Sequence, residues 1–213
     1  MAQAKQIDPL VSKRTIEVDG VGLEIREAGK GRPLVVLSAG EQAQLDPFLN
    51  GLGARNRLFM IDLAGAGATA ERDLARCVSQ GLARLGLDRF SVIGVSRGAP
   101  IALALAIAAP QQVDKLILLA PPPWSGRDED LRAGLPEIEA PTLVLVGTRD
   151  RSGAAATARV LKEKISACQL LLIYDTSETI AVDRPTACLS PIDEFLDRGV
   201  EFVVCHESQI IQH

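Results

Sequence analysis

Between Phe90 and Pro110, a β-branched run from Ser91 to Val95 meets an alanine-rich apolar run from Ala99 to Ala109. The first has the residue types of a short buried strand, and the second those of a buried helix. Only Gly94-Val95-Ser96-Arg97-Gly98 separates them. A strand that turns into a helix over so few residues must bend sharply, with Ser96 on the bend. Glycines on either side keep Cβ atoms out of the crowded turn, and the start of the helix offers unpaired backbone N–H groups beside the serine oxygen. This stretch confines the chain to folds in which a strand feeds directly into a helix.

The rest of the chain repeats that alternation. Thr15 to Gly29 alternates apolar and polar residues across a glycine-containing centre, the pattern of a β-hairpin. Pro33-Leu-Val-Val-Leu-Ser is apolar almost throughout, which suits a strand covered on both faces. Gln42 to Leu52 reads as a short helix interrupted by Pro47, and Arg57 to Leu63 as the next strand. Glu71 to Leu85 places Leu74, Val78, Leu82 and Leu85 near helical spacing. Strands follow at Val113–Leu119, Thr142–Gly147 and Gln169–Tyr174, with helices at Ala154–Ile165 and Pro185–Asp197. A hairpin followed by alternating strands and helices implies an α/β three-layer sandwich, a mostly parallel twisted sheet with helices on both faces. Residues 1–13 read as a flexible tail and 14–198 as one domain. Residues 199–213 read as an extension in which Val200 to Ser208 forms an added edge strand.

Composition narrows the function classes. The net charge of −4 speaks against a nucleic-acid footprint. No apolar run is long enough to span a bilayer, and the polar start of the chain lacks a signal-peptide core, so a soluble cytoplasmic protein is expected. Cys77, Cys168, Cys188 and Cys205 are scattered, which favours reduced and mostly buried thiols over a disulfide framework. No sequence pattern calls for a metal or cofactor: Gly65-Ala-Gly-Ala lacks the lysine of a phosphate loop, and Cys205-His206 are neighbours that a strand would point to opposite faces. The expected partner is a small molecule, with a homodimer through the added strand as a further expectation.

In this order and spacing, the chain resembles the α/β-hydrolase superfamily from about Thr15 to Arg198. The resemblance rests on Pro33-Leu-Val-Val-Leu, Ile61-Asp-Leu-Ala-Gly-Ala-Gly, Leu87 to Gly98, Pro141 to Asp150, and Asp183-Arg-Pro. It implies that Ser96 is the nucleophile and Asp150 the acid. The backbone N–H of Arg97 and one from the Ala39–Gly40 turn become the oxyanion donors. Three family features are replaced. The usual His-Gly before the oxyanion turn reads Ser38-Ala39, the usual Gly-His-Gly reads Gly65-Ala66-Gly67, and the position of the catalytic histidine falls on or near Glu178. Too few residues separate Pro121 from Pro141 for a cap domain, which leaves a site that is open or covered by a partner subunit.

The chain has two histidines, His206 and His213, both beyond the last expected helix. His206 either reaches the site or is an ordinary edge-strand residue. Without a histidine, Glu178 is the candidate base, and Arg97 is expected to pair with Glu178 or Glu41. Each candidate also has a plainer reading: Ser96 as a small residue in a tight turn, Asp150 as a helix cap, Glu178 as a solvated carboxylate, and Trp124 as packing rather than the mouth of the site. Two functions therefore stay open. One is a serine hydrolase of small carboxylic esters or related acyl compounds with an incomplete triad, and the other is a catalytically degenerate relative that binds a small ligand or a protein.

Overall fold

The computed structural model describes residues 12–40, 42–66, 69–126, 128–205 and 210–211. Its strands are β1 (Ser12–Val18), β2 (Val21–Ala28), β3 (Arg32–Ser38), β4 (Asn56–Asp62), β5 (Phe90–Val95), β6 (Val113–Leu119), β7 (Thr142–Gly147), β8 (Cys168–Ile173) and the two-residue β9 (Ile210–Ile211). They form one sheet in the order β1-β2-β4-β3-β5-β6-β7-β8-β9. The β1–β2 and β2–β4 pairs are antiparallel, and every later pair is parallel. Parallel neighbours need crossovers, and the helices supply them.

The helices are α1 (Asp46–Gly53), α2 (Glu71–Arg84), α3 (Ala99–Ala108), α4 (Glu129–Ala133), α5 (Ala154–Lys164), α6 (Ile180–Asp183), α7 (Pro185–Arg198) and α8 (Val200–Cys205). Strand side chains alternate between two cores, as the pleat requires. Val35 and Leu37 join Leu74, Val78, Ala102, Leu105 and Leu161 on the face covered by α2, α3 and α5. Leu34 and Val36 join Phe48, Leu52, Ile192 and Phe195 on the face covered by α1 and α7. The result is the expected three-layer arrangement. Helix α3 is buried along nearly its whole length, which explains why small alanines rather than an amphipathic pattern fill it.

Four details differ from the sequence reading. Strand β1 begins at Ser12, so the first strand takes in the last two residues assigned to the tail. Pro47 does not interrupt its helix: it stands in the first turn of α1, where a missing N–H costs nothing. The turns at Glu129–Ala133 and Ile180–Asp183 are too short to show periodicity and went unread. Residues 200–205 are helical, not a strand. Gly199, at φ +58, ends α7, and Phe202 then packs edge-on against Phe195 with ring centroids 5.7 Å apart. Burying that ring against a helix outweighs the strand preference of the surrounding valines. The added edge strand is Ile210–Ile211 instead, parallel to β8.

Between β6 and β7 the described residues hold only α4 and a short 3-10 turn at Leu135–Glu137. Among the described residues no helix is long and apolar enough to cross a membrane.

Candidate functional site

The β5–α3 turn is set by steric necessity. A Cβ on Gly94 would lie 2.6 Å from the Ala99 Cα, and one on Gly98 would lie 2.1 Å from the Leu37 carbonyl oxygen. Neither distance is tolerated, so the strand, the turn and the neighbouring β3 close up only around bare backbone. Ser96 pays for this turn with φ +46, a left-handed conformation that a non-glycine residue rarely holds. It opens the Ser96–Gly98 3-10 turn at the C-terminal end of β5.

Ser96 lines a cavity of about 180 Å³. Leu45, Val95, Leu119, Ile180 and Val182 give it apolar walls, and Glu178 is its carboxylate. The structure thus brings Ser96 and Glu178 to one cavity. Glu178 is exposed and has no hydrogen bond or ion pair among the described residues. A larger cavity of about 250 Å³ lies at the opposite end of the sheet, where Arg89 and Lys115 already share Asp114.

Asp150 is not among the residues lining the Ser96 cavity. Its Oδ1 accepts the backbone N–H groups of Ser152, Gly153 and Ala154 at 2.9, 3.2 and 3.3 Å, and the Ser152 hydroxyl as well. In this arrangement it satisfies the open amides that lead into α5. Asp183 does the same for the loop that carries Glu178. It accepts the N–H and hydroxyl of Ser177 and the hydroxyl of Thr179. Burial raises the Asp183 pKa, but the donors from Ser177 and Thr179 outweigh that effect and hold the carboxyl below its usual range. Sequence reading did not single out Asp183 for this job; the Asp-x-x-x-x-x spacing back to Ser177 carries no local signature.

The 39–40 turn is already engaged. The Gly40 N–H donates to Asp62 Oδ1 at 3.0 Å, and the Ala64 N–H donates to the same oxygen at 2.9 Å. The Arg97 guanidinium donates to the carbonyl of Ala39. The expected Arg97–Glu178 pair is not formed: Arg97 takes that neutral carbonyl instead, and no ion pair among the described residues includes it. Glu41, its other expected partner, lies outside the described residues, as do His206 and His213.

Trp124 packs against the core under α2 and α3, with the Arg132 guanidinium 5.9 Å from its ring centre, and does not line the Ser96 cavity. Cys77, Cys168 and Cys188 are buried and unpaired, and burial pushes the Cys168 and Cys188 thiols up to about 12. Neither is a thiolate nucleophile at neutral pH. Among the described residues no cluster of His, Cys, Asp and Glu side chains is arranged to hold a metal ion.

Known proteins match this geometry. A family model described as alpha/beta hydrolase fold matches residues 33–137. A pimeloyl-[acyl-carrier protein] methyl ester esterase of Nitrosomonas europaea is 34% identical over 119 residues, 53% of this chain and 46% of that protein. A homoserine O-acetyltransferase of Thermus thermophilus is 43% identical over 58 residues, 25% of this chain and 15% of that protein. The chain therefore matches less than half the length of these curated relatives. Among solved structures, naproxen esterase from Bacillus subtilis superposes with a TM-score of 0.77 at 12% identity, covering 88% of this chain and 92% of that one. A CIB-like hydrolase from Thermoplasma acidophilum superposes with a TM-score of 0.71 at 19% identity, covering 87% and 97%.

Proposed function

The chain belongs to the α/β-hydrolase superfamily, and from that premise we propose that it is an esterase-type serine hydrolase of small carboxylic esters, with Ser96 as nucleophile. The observation that carries this reading is Ser96 itself, held at φ +46 where it lines an apolar cavity. Backbone strain of this kind costs on the order of 1–3 kcal/mol and persists at functional turns. The esterase named among the relatives supports the same class of substrate.

In this mechanism the Ser96 oxygen adds to the ester carbonyl while its proton passes to the Glu178 carboxylate. The alcohol then leaves with that proton, and water adds to the acyl-serine to release the acid. Glu178 is exposed, and a carboxylate open to water is poorly suited to take the serine proton, so turnover is slow. The Arg97 amide and the Gly40 amide, once freed from Asp62, stabilise the oxyanion. Asp150 enters only as the residue that fixes the start of α5.

A second reading, a relative that binds its ligand without hydrolysing it, is favoured by one observation. The Gly40 amide is already engaged by Asp62. Labelling with a fluorophosphonate probe separates the two. The esterase reading expects slow labelling that vanishes in Ser96→Ala, survives ending the chain after Arg198, and falls at least about tenfold in Glu178→Gln. Labelling that disappears on truncation assigns the base to residues 199–213 instead. A folded chain that never labels is a binding protein.

A further inference from the structure

One peptide group at this site is gripped at both poles by opposite charges. The carbonyl of Ala39 accepts a hydrogen bond from Arg97 Nη2, and the N–H on the other side of the same bond, that of Gly40, donates to Asp62 Oδ1 at 3.0 Å. The C=O and N–H of a trans peptide point in opposite directions, so the guanidinium and the carboxylate together fix the plane of this one unit. Gly40 has φ +91, a region glycine occupies without steric cost, which gives the peptide freedom to turn once the clamp opens. While the clamp is shut, its proton belongs to Asp62.

Arg97 is the movable half. Asp62 is tied down by a second bond, from the Ala64 N–H, whereas Arg97 is exposed and, among the described residues, holds only a neutral carbonyl. Strands β3 and β5 pair at Leu37 and Gly94, so the 39–40 turn stands beside the turn that carries Ser96. The cavity lined by Ser96 has apolar walls, and Glu178, its one carboxylate among the described residues, would repel an anion placed against it. Arg97 does not itself line the cavity but directly follows Ser96, which does, so a ligand with its apolar tail in the cavity and a negative head has that guanidinium as the nearest cation in the chain to reach for.

We propose that the Ser96 cavity selects ligands bearing a carboxylate on a short apolar chain, that Arg97 is the residue that reads this carboxylate, and that its engagement releases the 39–40 peptide. The proposal rests on the Ser96 cavity being the ligand site. A guanidinium presents two parallel N–H groups to a carboxylate, a match that a carbonyl oxygen cannot offer. A carboxylate also adds full negative charge on the acceptor to a bond whose donor is already charged, so exchanging Ala39 for the ligand is favourable.

The test is a titration of the ¹⁵N-labelled full chain carrying Ser96→Ala, with butanoate and with the neutral butanamide, read at the Gly40 amide. Saturable movement of that resonance with butanoate is expected, with butanamide binding about tenfold more weakly. Adding Arg97→Gln should weaken butanoate about tenfold, and Arg97→Lys should fall between, since an ammonium keeps the charge and loses the fork. Arg97 is exposed, so both variants are expected to fold. Equal binding of the two ligands, undiminished butanoate binding in Arg97→Gln, no butanoate binding, or a Gly40 resonance unmoved at saturation would each overturn the proposal. Because Ser96→Ala cannot turn over, a chain that passes this titration but never labels loses the esterase reading and keeps the carboxylate site.

Discussion

The turn that carries Ser96 and the loops that carry Asp150 and Glu178 stand at the same end of the parallel sheet, but different forces shape them. The Ser96 turn is steric: backbone atoms of Leu37, Gly98 and Ala99 fill the places where Cβ atoms of Gly94 and Gly98 would go. The acid loops are electrostatic. Asp150, half-buried, and Asp183, exposed, accept amides and hydroxyls of their own loops. A steric requirement of this kind admits glycine alone. A capping requirement admits several acceptors at small cost.

The widest break of this comparison is Gly98→Ala. With 2.1 Å to the Leu37 oxygen, β3 and the turn must separate, and unfolding in urea should show a loss of about 3 kcal/mol or no folded protein at all. A loss under about 1 kcal/mol would mean that the turn yields, and the steric side of the contrast would fall.

Asp150 sharpens the other side. Asp150→Ala removes the acceptor of three amides and should cost about 1 kcal/mol, whereas Asp150→Asn keeps an acceptor and should cost little. Fluorophosphonate labelling should stay within about threefold in the Asn variant. A residue acting as the triad acid would lower it by a factor on the order of 10⁴. That larger drop would return Asp150 to the reaction and set the capping bonds aside as incidental.

The same contrast explains what was legible in the sequence. Strand order and the Ser96 turn follow from burial and crowding, and both are written in residue type: runs of Val, Ile and Leu, and glycines on either side of Ser96. The roles of Asp150 and Arg97 depend on which of several nearby partners each side chain takes. Nothing in Arg97's place after Ser96 says that it bonds the Ala39 carbonyl rather than Glu178. Nor does Val200-Glu-Phe-Val-Val announce a helix, because the deciding contact, Phe202 on Phe195, joins two elements and is invisible to a local window.

The smallest expected effect concerns Asp183, and its sign is fixed by its hydrogen bonds. Donors from Ser177 and Thr179 favour the charged carboxylate, so its folded pKa lies below its unfolded one. The stabilisation is complete above the ordinary carboxyl range near pH ~4 and is lost as pH falls through the lower folded value. Asp183 is well exposed, so solvent screening keeps the effect to about 0.5 kcal/mol or less. Asp193, raised by burial, and Asp197, lowered by Arg32, titrate in the same range, but both remain in Asp183→Asn and cancel in the difference. Urea midpoints should therefore show wild type ahead of Asp183→Asn at pH 7 and the gap narrowing as pH falls below the ordinary carboxyl range. A gap that widens on acidification would mean that the Ser177 and Thr179 donors do not hold the charged form. The loop that carries Glu178 would then need another anchor.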